Sequence, residues 1–329
     1  MITLYWREEG KTLQEEMRIE DFDVSGIKAP FWIDLKNPTD EATKTLEDHL
    51  KIDIPTKKEL WKNHVLNRQY IEDGCAFMTA AIINKMDKPY PETGAITFIV
   101  TPTYLLTVRD INPTSFKNFC ERLTKGGHLF DSPSSLLEGL MEEVITRVAH
   151  NSEIVVDSLD DLSHTIFGTN VLDGRRKKNT TKVMKEVLRQ LGETADLNSK
   201  ISESLHSVSR LLMFYKQAVL HDKDSDSPFG VLVSDVQALT TQTNFLSDKI
   251  TFQLDATLGM VQVEQNMISK MFSVFTVFFL PPTLVAGIYG MNFNFMPELE
   301  WLVGYPLALV IMGMCALSSY LYFRKRGWL

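Results

Sequence analysis

Two apolar runs near the C-terminus constrain this chain more than any other feature of its sequence. Residues 271–290 and 302–323 form runs of 20 and 22 residues, and neither run contains a charged side chain. About 20 apolar residues in a helix are enough to cross a hydrocarbon core of about 30 Å. Aromatic residues typical of membrane interfaces lie near the ends of the runs: Tyr289, Trp301, Tyr320, Tyr322 and Trp328. The sequence therefore predicts two transmembrane helices, and it disfavours the alternative of a buried hairpin in a soluble protein.

The basic residues predict the orientation of these helices. Lys270 precedes the first run, and the basic residues of 324–326 follow the second. The connecting loop, 291–301, has two acidic residues and no basic one. Because lysine and arginine favour the cytoplasmic side, we expect both termini in the cytoplasm and the loop outside. Two helices from one chain cannot enclose a pore, so any pathway requires several copies.

The rest of the chain has the composition of a water-soluble domain. With 23% charged residues and a net charge of −8, the chain shows no basic stripe of the kind that binds nucleic acid. The first residues lack the basic and apolar regions of a signal peptide, so we expect this part to stay unexported. Cys75, Cys120 and Cys315 are widely separated, which favours reduced thiols over a disulfide framework or a zinc site.

Short β-rich runs in the first 110 residues predict a small sheet. They are 1–6, 31–35, 76–83, 95–100 and 104–109, and the last two are joined by a hairpin. Asp40 and Glu41, followed by apolar residues at helical spacing, predict a helix beside the sheet. This part contains no nucleophile elbow, phosphate loop or pair of catalytic carboxylates. We therefore expect neither an enzyme nor a site for a small organic substrate.

Long helices follow the sheet. Residues 134–167 and 181–217 show helical periodicity, and 228–290 would form a helix about 90 Å long that runs into the membrane as a stalk. Its seam consists of Leu232, Val236, Leu239, Thr243, Leu246 and Ile250. The acidic group Asp157, Asp160 and Asp161 fits a solvated helix face better than an ion site. The fold class is thus an α+β domain, a very long stalk helix and two C-terminal transmembrane helices.

Small and polar residues recur along one face of the first apolar run and the segment before it. Together with the apolar Leu280 on the same face, they are spaced by three and four residues: Asn266, Ser269, Ser273, Thr276, Leu280, Thr283 and Gly287. Such residues also serve close helix packing, which remains an alternative. The absence of charge favours a pathway, because a cation that keeps its hydration shell needs weak oxygen contacts rather than a carboxylate that would trap it.

The outer end of this run carries further polar backbone. Pro281 and Pro282 remove two backbone donors, so we expect a bend or a freed carbonyl there. Gly290 and Asn292 at the end of the run would add free carbonyls and a neutral amide. Repeated around a symmetry axis, these groups would form a ring of dipoles that faces the outer solution.

The sequence at this point resembles the CorA family of magnesium transporters. The resemblance rests on Tyr289-Gly290-Met291-Asn292 with Phe293, on Met296-Pro297-Glu298-Leu299, on Trp32-Ile33-Asp34-Leu35, on Leu106-Thr107-Val108-Arg109, and on Glu264-Gln265-Asn266. The run Phe279-Leu280-Pro281-Pro282-Thr283-Leu284-Val285 and the terminal Gly327-Trp328-Leu329 resemble the proteobacterial branch. The resemblance implies a funnel-shaped homopentamer in the bacterial inner membrane that takes up Mg²⁺, with Co²⁺ and Ni²⁺ as secondary substrates, and that cytosolic Mg²⁺ closes.

The resemblance also implies roles for individual residues. The outer mouth would consist of Tyr289, Gly290, Met291, Asn292 and Glu298. The pore lining and gate would consist of Asn266, Ser269, Phe272, Ser273, Thr276, Leu280, Thr283 and Gly287, with constrictions at Phe272 and Leu280. Regulatory Mg²⁺ would bind Asp235, Asp248 and Asp255 between neighbouring subunits. Relatives commonly have an acidic residue where Asn294 stands, so attraction of cations would depend on Glu298 and Glu300.

These inferences divide the chain into six parts. They are a cytosolic regulatory domain (1–227), the stalk (228–270), a pore-lining transmembrane helix (271–290), an external loop (291–301), a second transmembrane helix (302–323) and a basic cytosolic tail (324–329). Two alternative functions stay open. A zinc transporter of the same superfamily is disfavoured by Met291, where such relatives usually carry isoleucine. A membrane-anchored sensor or scaffold that does not conduct is disfavoured by the uncharged polar stripe.

Overall fold

The structure of the protein, a computed structural model, divides into two compact units, Met1–Leu254 and Asp255–Leu329. It describes residues 1–8, 11–17, 30–55, 69–84, 91–125, 130–168, 180–221, 227–291, 296–297 and 301–327. The predicted fold class is confirmed: a mixed sheet is followed by long helices and by an apolar C-terminal helix.

The first unit begins with a seven-stranded sheet. Its strands are β1 (Ile2–Glu8), β2 (Lys11–Met17), β3 (Trp32–Lys36), β4 (Gln69–Glu72), β5 (Cys75–Asn84), β6 (Glu92–Val100) and β7 (Leu105–Arg109). Their order is β2-β1-β3-β7-β6-β5-β4, and β3 pairs with β7 in parallel. The predicted hairpin is confirmed, because Val100 of β6 lies opposite Leu105 of β7.

Two edge strands were not predicted from the sequence. Both β2 and β4 consist largely of exposed or half-exposed residues, so neither shows the buried alternation that marks a central strand. They form because neighbouring strands supply partners along their whole length: β2 pairs with β1 through seven residues and β4 with β5 through four. Pairing with an existing sheet, and not the local pattern, determines these strands.

Alternating side chains of the central strands supply the cores on the two faces of the sheet. Ile33 and Leu35 of β3 lie in a buried cluster with Leu46 of α1 (Asp40–Leu50). On the other face, Trp32 packs against α2 (Thr114–Thr124), with ring centroids 6.4 Å from Phe116 and 5.7 Å from Phe119. The α2 helix was not predicted from the sequence.

Long helices complete the first unit. They are α3 (Pro133–Phe167), α4 (Thr180–Phe214), which continues as a π-helical turn at Tyr215–Val219, and α5 (Pro228–Tyr289), whose residues 228–254 belong to this unit. The α3 helix begins at a capping box between Ser132 and Ser135. The α4 helix contacts the sheet, because the Ser207 hydroxyl accepts from the Ala81 amide at 2.8 Å.

The seam of α5 is confirmed. Every predicted seam residue is buried except Leu239, which is half-buried. A polar contact fixes this seam: the Asn198 amide nitrogen of α4 donates to the Thr243 carbonyl at 3.0 Å and to the Ser247 hydroxyl at 2.8 Å. The predicted solvated face on α3 is also confirmed, because the three aspartates are exposed and Asp160 pairs with Lys249 at 2.6 Å.

The second unit holds the remainder of α5, residues 255–289, and α6 (Gly304–Lys325). Both helices are long and apolar enough to cross a membrane. The buried residues of α6 are Gly304, Ala308 and Phe323, and half-buried residues between them continue the same face at helical spacing. Small residues on this face allow close approach of the two helices.

Candidate ion pathway

The part of α5 in the second unit has one half-covered face and one exposed face. Its half-buried residues between 271 and 290 are Val274, Phe278, Pro281, Pro282, Val285 and Tyr289. At about 100° of rotation per residue, these residues centre on the side of the helix opposite the stripe of small and polar residues. The covered face is the one that carries contacts to α6: Val285 and Tyr289 share a cleft of about 340 Å³ with Trp301 and Tyr305. The second apolar helix, α6, therefore packs against the face of α5 opposite the stripe and leaves the stripe uncovered.

The stripe is exposed along its whole length. Asn266, Ser269, Phe272, Ser273, Thr276, Leu280, Thr283 and Gly287 are all exposed. Thr276, Leu280, Thr283 and Gly287 line one open groove of about 780 Å³. Its other lining residues are Phe275, Phe279, Leu284, Ile288 and Met291. The structure thus brings Thr276, Leu280, Thr283 and Gly287 together on one surface.

Three hydroxyl groups of the stripe bond in the same way. Each donates to the backbone carbonyl four residues earlier: Ser273 to Ser269 at 3.0 Å, Thr276 to Phe272 at 2.9 Å and Thr283 to Phe279 at 2.8 Å. A hydroxyl has one hydrogen and two acceptor lone pairs. Because each hydrogen is used within the helix, each oxygen keeps acceptor lone pairs, and those of Thr276 and Thr283 belong to residues that line the groove. Water molecules bound to a cation are hydrogen-bond donors, so this surface suits a hydrated cation.

Two large apolar side chains lie on the same face as the small and polar residues. Phe272 is 70% exposed and Leu280 is 60% exposed, which is unusual for apolar residues unless a membrane or a partner contacts them. Phe272 and Ser273 are both exposed, so both stay candidates for the pore lining. Repeated around an axis, rings of such side chains would narrow a pathway at two levels.

Two backbone hydrogen bonds hold the last turn at the outer end of α5. The Gly290 amide donates to the Ala286 carbonyl at 2.9 Å, and the Met291 amide donates to the Ile288 carbonyl at 3.2 Å. The Ala286 and Ile288 carbonyls are thus occupied by backbone bonds of the final turn, whereas a free carbonyl at Gly290 stays a prediction. A Cβ at Gly290 would lie 3.2 Å from the Ala286 carbonyl oxygen, so the turn favours glycine. Asn292 and Glu298 lie outside the described residues.

The double proline leaves α5 continuous. The helix runs through Pro281 and Pro282, and both prolines lie on its half-covered face. Pro281 has no amide hydrogen to offer to the Val277 carbonyl. That carbonyl instead accepts from the Ser319 hydroxyl of α6 at 3.4 Å. The freed carbonyl thus contacts α6, and the sequence analysis missed Ser319 because no local signal connects residues 42 positions apart.

The three candidate regulatory aspartates do not form a site within one chain. Asp235, Asp248 and Asp255 are exposed. Among the residues that the structure describes, no group of three or more histidine, cysteine, aspartate or glutamate side chains could hold a metal ion. Asp235 and Asp248 belong to the first unit and Asp255 to the second. The described part of one chain therefore offers no such cluster for a regulatory Mg²⁺.

Comparison with known proteins decides the family. The chain matches the family described as CorA-like Mg2+ transporter protein over residues 28–325. It belongs to the CorA family. A magnesium transport protein CorA from Haemophilus ducreyi is 31% identical over 298 residues, which cover 91% of this chain and 92% of that protein. Its counterpart from Escherichia coli K12 is 29% identical over 312 residues, which cover 95% and 96%.

A solved structure supports the same fold. The CorA magnesium transporter of Methanocaldococcus jannaschii matches 100% of this chain and 99% of its own, with a TM-score of 0.75 and 18% sequence identity. Membership of the CorA family confirms the resemblance, and it confirms that the chain is a transport protein and not an enzyme. The two long apolar helices fit membrane transporters of this family.

Proposed function

We propose that this protein takes up Mg²⁺ across the bacterial inner membrane through a pore formed by the stripe of α5. The observation that carries the proposal is the position of α6 on the opposite face of α5. The uncharged stripe stays uncovered in one chain and is free to face other copies of the same helix. Copies of the same helix around an axis cover the stripe and enclose the groove, in which the Thr276 and Thr283 side chains lie among apolar ones.

The assembly is a homo-oligomer in the lipid bilayer, and five copies form it. A pore of this kind passes a cation that keeps most of its water, because the stripe supplies hydroxyl acceptors and no carboxylate. Mg²⁺ loses its water reluctantly and suits such a path. Co²⁺ and Ni²⁺ are secondary substrates on the same reasoning, since they form hydrated divalent ions of similar charge.

The outer mouth selects the ion before it enters. Tyr289, Gly290, Met291 and Asn292 form this mouth, and Glu298 with Glu300 attracts cations from the external solution. Both termini lie in the cytoplasm, so the basic residues Arg324, Lys325 and Arg326 stay on the inner side. Asn266 forms a polar ring at the inner end of the pathway.

The pore closes at Phe272 and Leu280, and cytosolic Mg²⁺ controls that closure. Asp235, Asp248 and Asp255 contribute to regulatory sites between neighbouring copies. Their exposure supports this, as does the lack of a metal cluster among the residues of one chain that the structure describes. A zinc transporter and a sensor that does not conduct remain the alternatives.

Flux into proteoliposomes tests this function. The purified full-length protein is reconstituted, and uptake of Mg²⁺, Co²⁺ and Zn²⁺ is recorded side by side. We expect Mg²⁺ uptake that Asn292→Ala abolishes while the oligomer stays intact. Preference for Zn²⁺ would favour the first alternative. No uptake of any ion above protein-free liposomes would favour the second.

A further inference from the structure

The Pro281 ring creates a gap in the backbone hydrogen bonds of α5. In a continuous helix the amide at position 281 would donate to the Val277 carbonyl, and proline has no such hydrogen. The described residues contain no cis peptide bond, and α5 runs through this position without ending. The Val277 carbonyl therefore needs a donor from elsewhere. In a bilayer, water is too scarce to supply it.

The Ser319 hydroxyl fills this gap from the neighbouring helix. Its oxygen lies 3.4 Å from the Val277 carbonyl oxygen, with Ser319 as the donor. Ser319 is half-buried and continues the face of α6 that carries Gly304, Ala308 and Phe323. This hydroxyl is therefore directed at α5 because of the face on which it lies.

The neighbouring serine behaves differently. The Ser318 hydroxyl donates to the Cys315 carbonyl of its own helix at 2.9 Å, and Ser318 is exposed. Most hydroxyls in these two helices bond in this local way. Ser319 departs from that pattern, and it does so opposite the position where proline has removed an amide.

We propose that Ser319 is a positioning residue whose hydroxyl replaces the missing Pro281 amide and thereby fixes the middle of α5 to α6. Leu280 directly precedes Pro281, so this bond sets where the Leu280 side chain stands. The effect of this bond on ion flow rests on the proposed function, in which Leu280 narrows the pore. The bond itself does not depend on conduction.

A double-variant experiment on the full-length protein tests the proposal. Ser319→Ala is compared with Ser318→Ala as the matched control, and Ser319→Thr restores the hydroxyl. Ser319→Ala is then combined with Pro281→Ala, which returns the amide donor to the Val277 carbonyl. Ser319→Ala is also combined with Pro282→Ala, which leaves the Val277 carbonyl without an amide donor. Thermal unfolding in detergent and Mg²⁺ flux in proteoliposomes are measured for each variant.

The expected result is specific to one proline. Ser319→Ala lowers the unfolding midpoint by about 2–4 °C and changes the maximal flux by about threefold. The Mg²⁺ concentration for half-maximal flux stays the same, because the outer mouth is untouched. Ser318→Ala and Ser319→Thr have little effect. In Pro281→Ala the effect of Ser319→Ala disappears, whereas in Pro282→Ala it persists.

Other results would overturn the proposal. They are an effect of Ser319→Ala no larger than that of Ser318→Ala, or an effect of equal size with and without Pro281. If Ser319→Ala fails to assemble, the Pro281→Ala/Ser319→Ala protein decides, because recovered assembly supports the bond and continued failure contradicts it. A protein that conducts no Mg²⁺ at all would refute the proposed function, while the unfolding midpoints would still test the bond.

Discussion

The Arg109 guanidinium forms an ion pair with the Asp34 carboxylate across the parallel strands β3 and β7. Arg109 Nη2 donates to Asp34 Oδ2 at 2.7 Å, and Nε donates to Oδ1 at 3.0 Å. Asp34 is 2% exposed and Arg109 is 7% exposed. The Thr107 hydroxyl donates to the same carboxylate at 2.6 Å. Two short motifs that the sequence showed only as separate strands are thus joined through one buried ion pair.

Removing the Asp34 carboxylate should destabilise the first unit strongly. Asp34→Ala leaves Arg109 buried without its counter-charge, which typically costs about 3–5 kcal/mol. Unfolding of the full-length protein in detergent, followed by the fluorescence of the buried Trp32, measures this loss. The control is Asp160→Ala, which breaks an exposed ion pair with Lys249 and should hardly shift the midpoint. Equal shifts for both variants would show that burial of the Asp34 pair does not matter.

The two cysteines of the first unit should resist thiol reagents. Burial raises the pKa of the Cys75 thiol, and burial also raises the pKa of the Cys120 thiol despite its 3.1 Å contact with the Tyr5 hydroxyl. A raised pKa lowers the thiolate fraction at neutral pH, and the thiolate is the reactive form. Modification by a maleimide at pH 7 should therefore be much slower in the folded protein than in denaturant. Equal rates in the two conditions would contradict the buried position of Cys75 and the half-buried position of Cys120.

The Asn198 side chain should hold α5 in place against α4. Asn198→Ala removes the donors to the Thr243 carbonyl and the Ser247 hydroxyl, and we expect a loss of about 1–3 kcal/mol. Hydrogen exchange of the amides around 243–247 should become faster. Ser247→Ala removes one of these bonds and should cost less. If Asn198→Ala leaves both stability and exchange unchanged, the contact does not fix this seam.

The hydroxyl oxygens of the stripe should assist ion flow. Thr283→Val keeps the shape of the side chain and removes the acceptor, so Mg²⁺ flux should fall by about fivefold, which corresponds to ~1 kcal/mol. Thr241→Val is a matched control, since the Thr241 hydroxyl makes the same local bond, to Gln237 at 3.0 Å, outside the stripe. Thr283→Ser should retain most of the flux. A fall of equal size in Thr241→Val would mean that the local helix bond, and not the pathway, is responsible.

Features with a local pattern were predictable from the sequence. The charge-free runs identified both apolar helices within a few residues, because length and the absence of charge are properties of a single segment. The stripe was also predictable, because spacing by three and four residues places Thr276, Leu280 and Thr283 on one face of any helix. The β-rich composition of β3 and β6 is a similar signal.

Features that depend on contacts between distant segments were not predictable. The edge strands β2 and β4 form on partners, and the bond between Arg109 and Asp34 needs two strands that lie 75 residues apart in sequence. The same holds for Ser319, because the role of its hydroxyl depends on Pro281 in the other helix. The sequence also left open which face of α5 the second helix covers, and only the packing of α6 shows that the stripe stays exposed.

Blocking the groove chemically tests the central claim, that Mg²⁺ passes along the stripe of α5. In a chain whose three native cysteines are replaced, Thr283→Cys on the exposed face is compared with Val285→Cys on the half-covered face. Mg²⁺ flux into proteoliposomes is recorded before and after a positively charged methanethiosulfonate reagent. We predict rapid labelling and near-complete block for Thr283→Cys, with little change for Val285→Cys. Unchanged Mg²⁺ flux through fully labelled Thr283→Cys protein would contradict the claim.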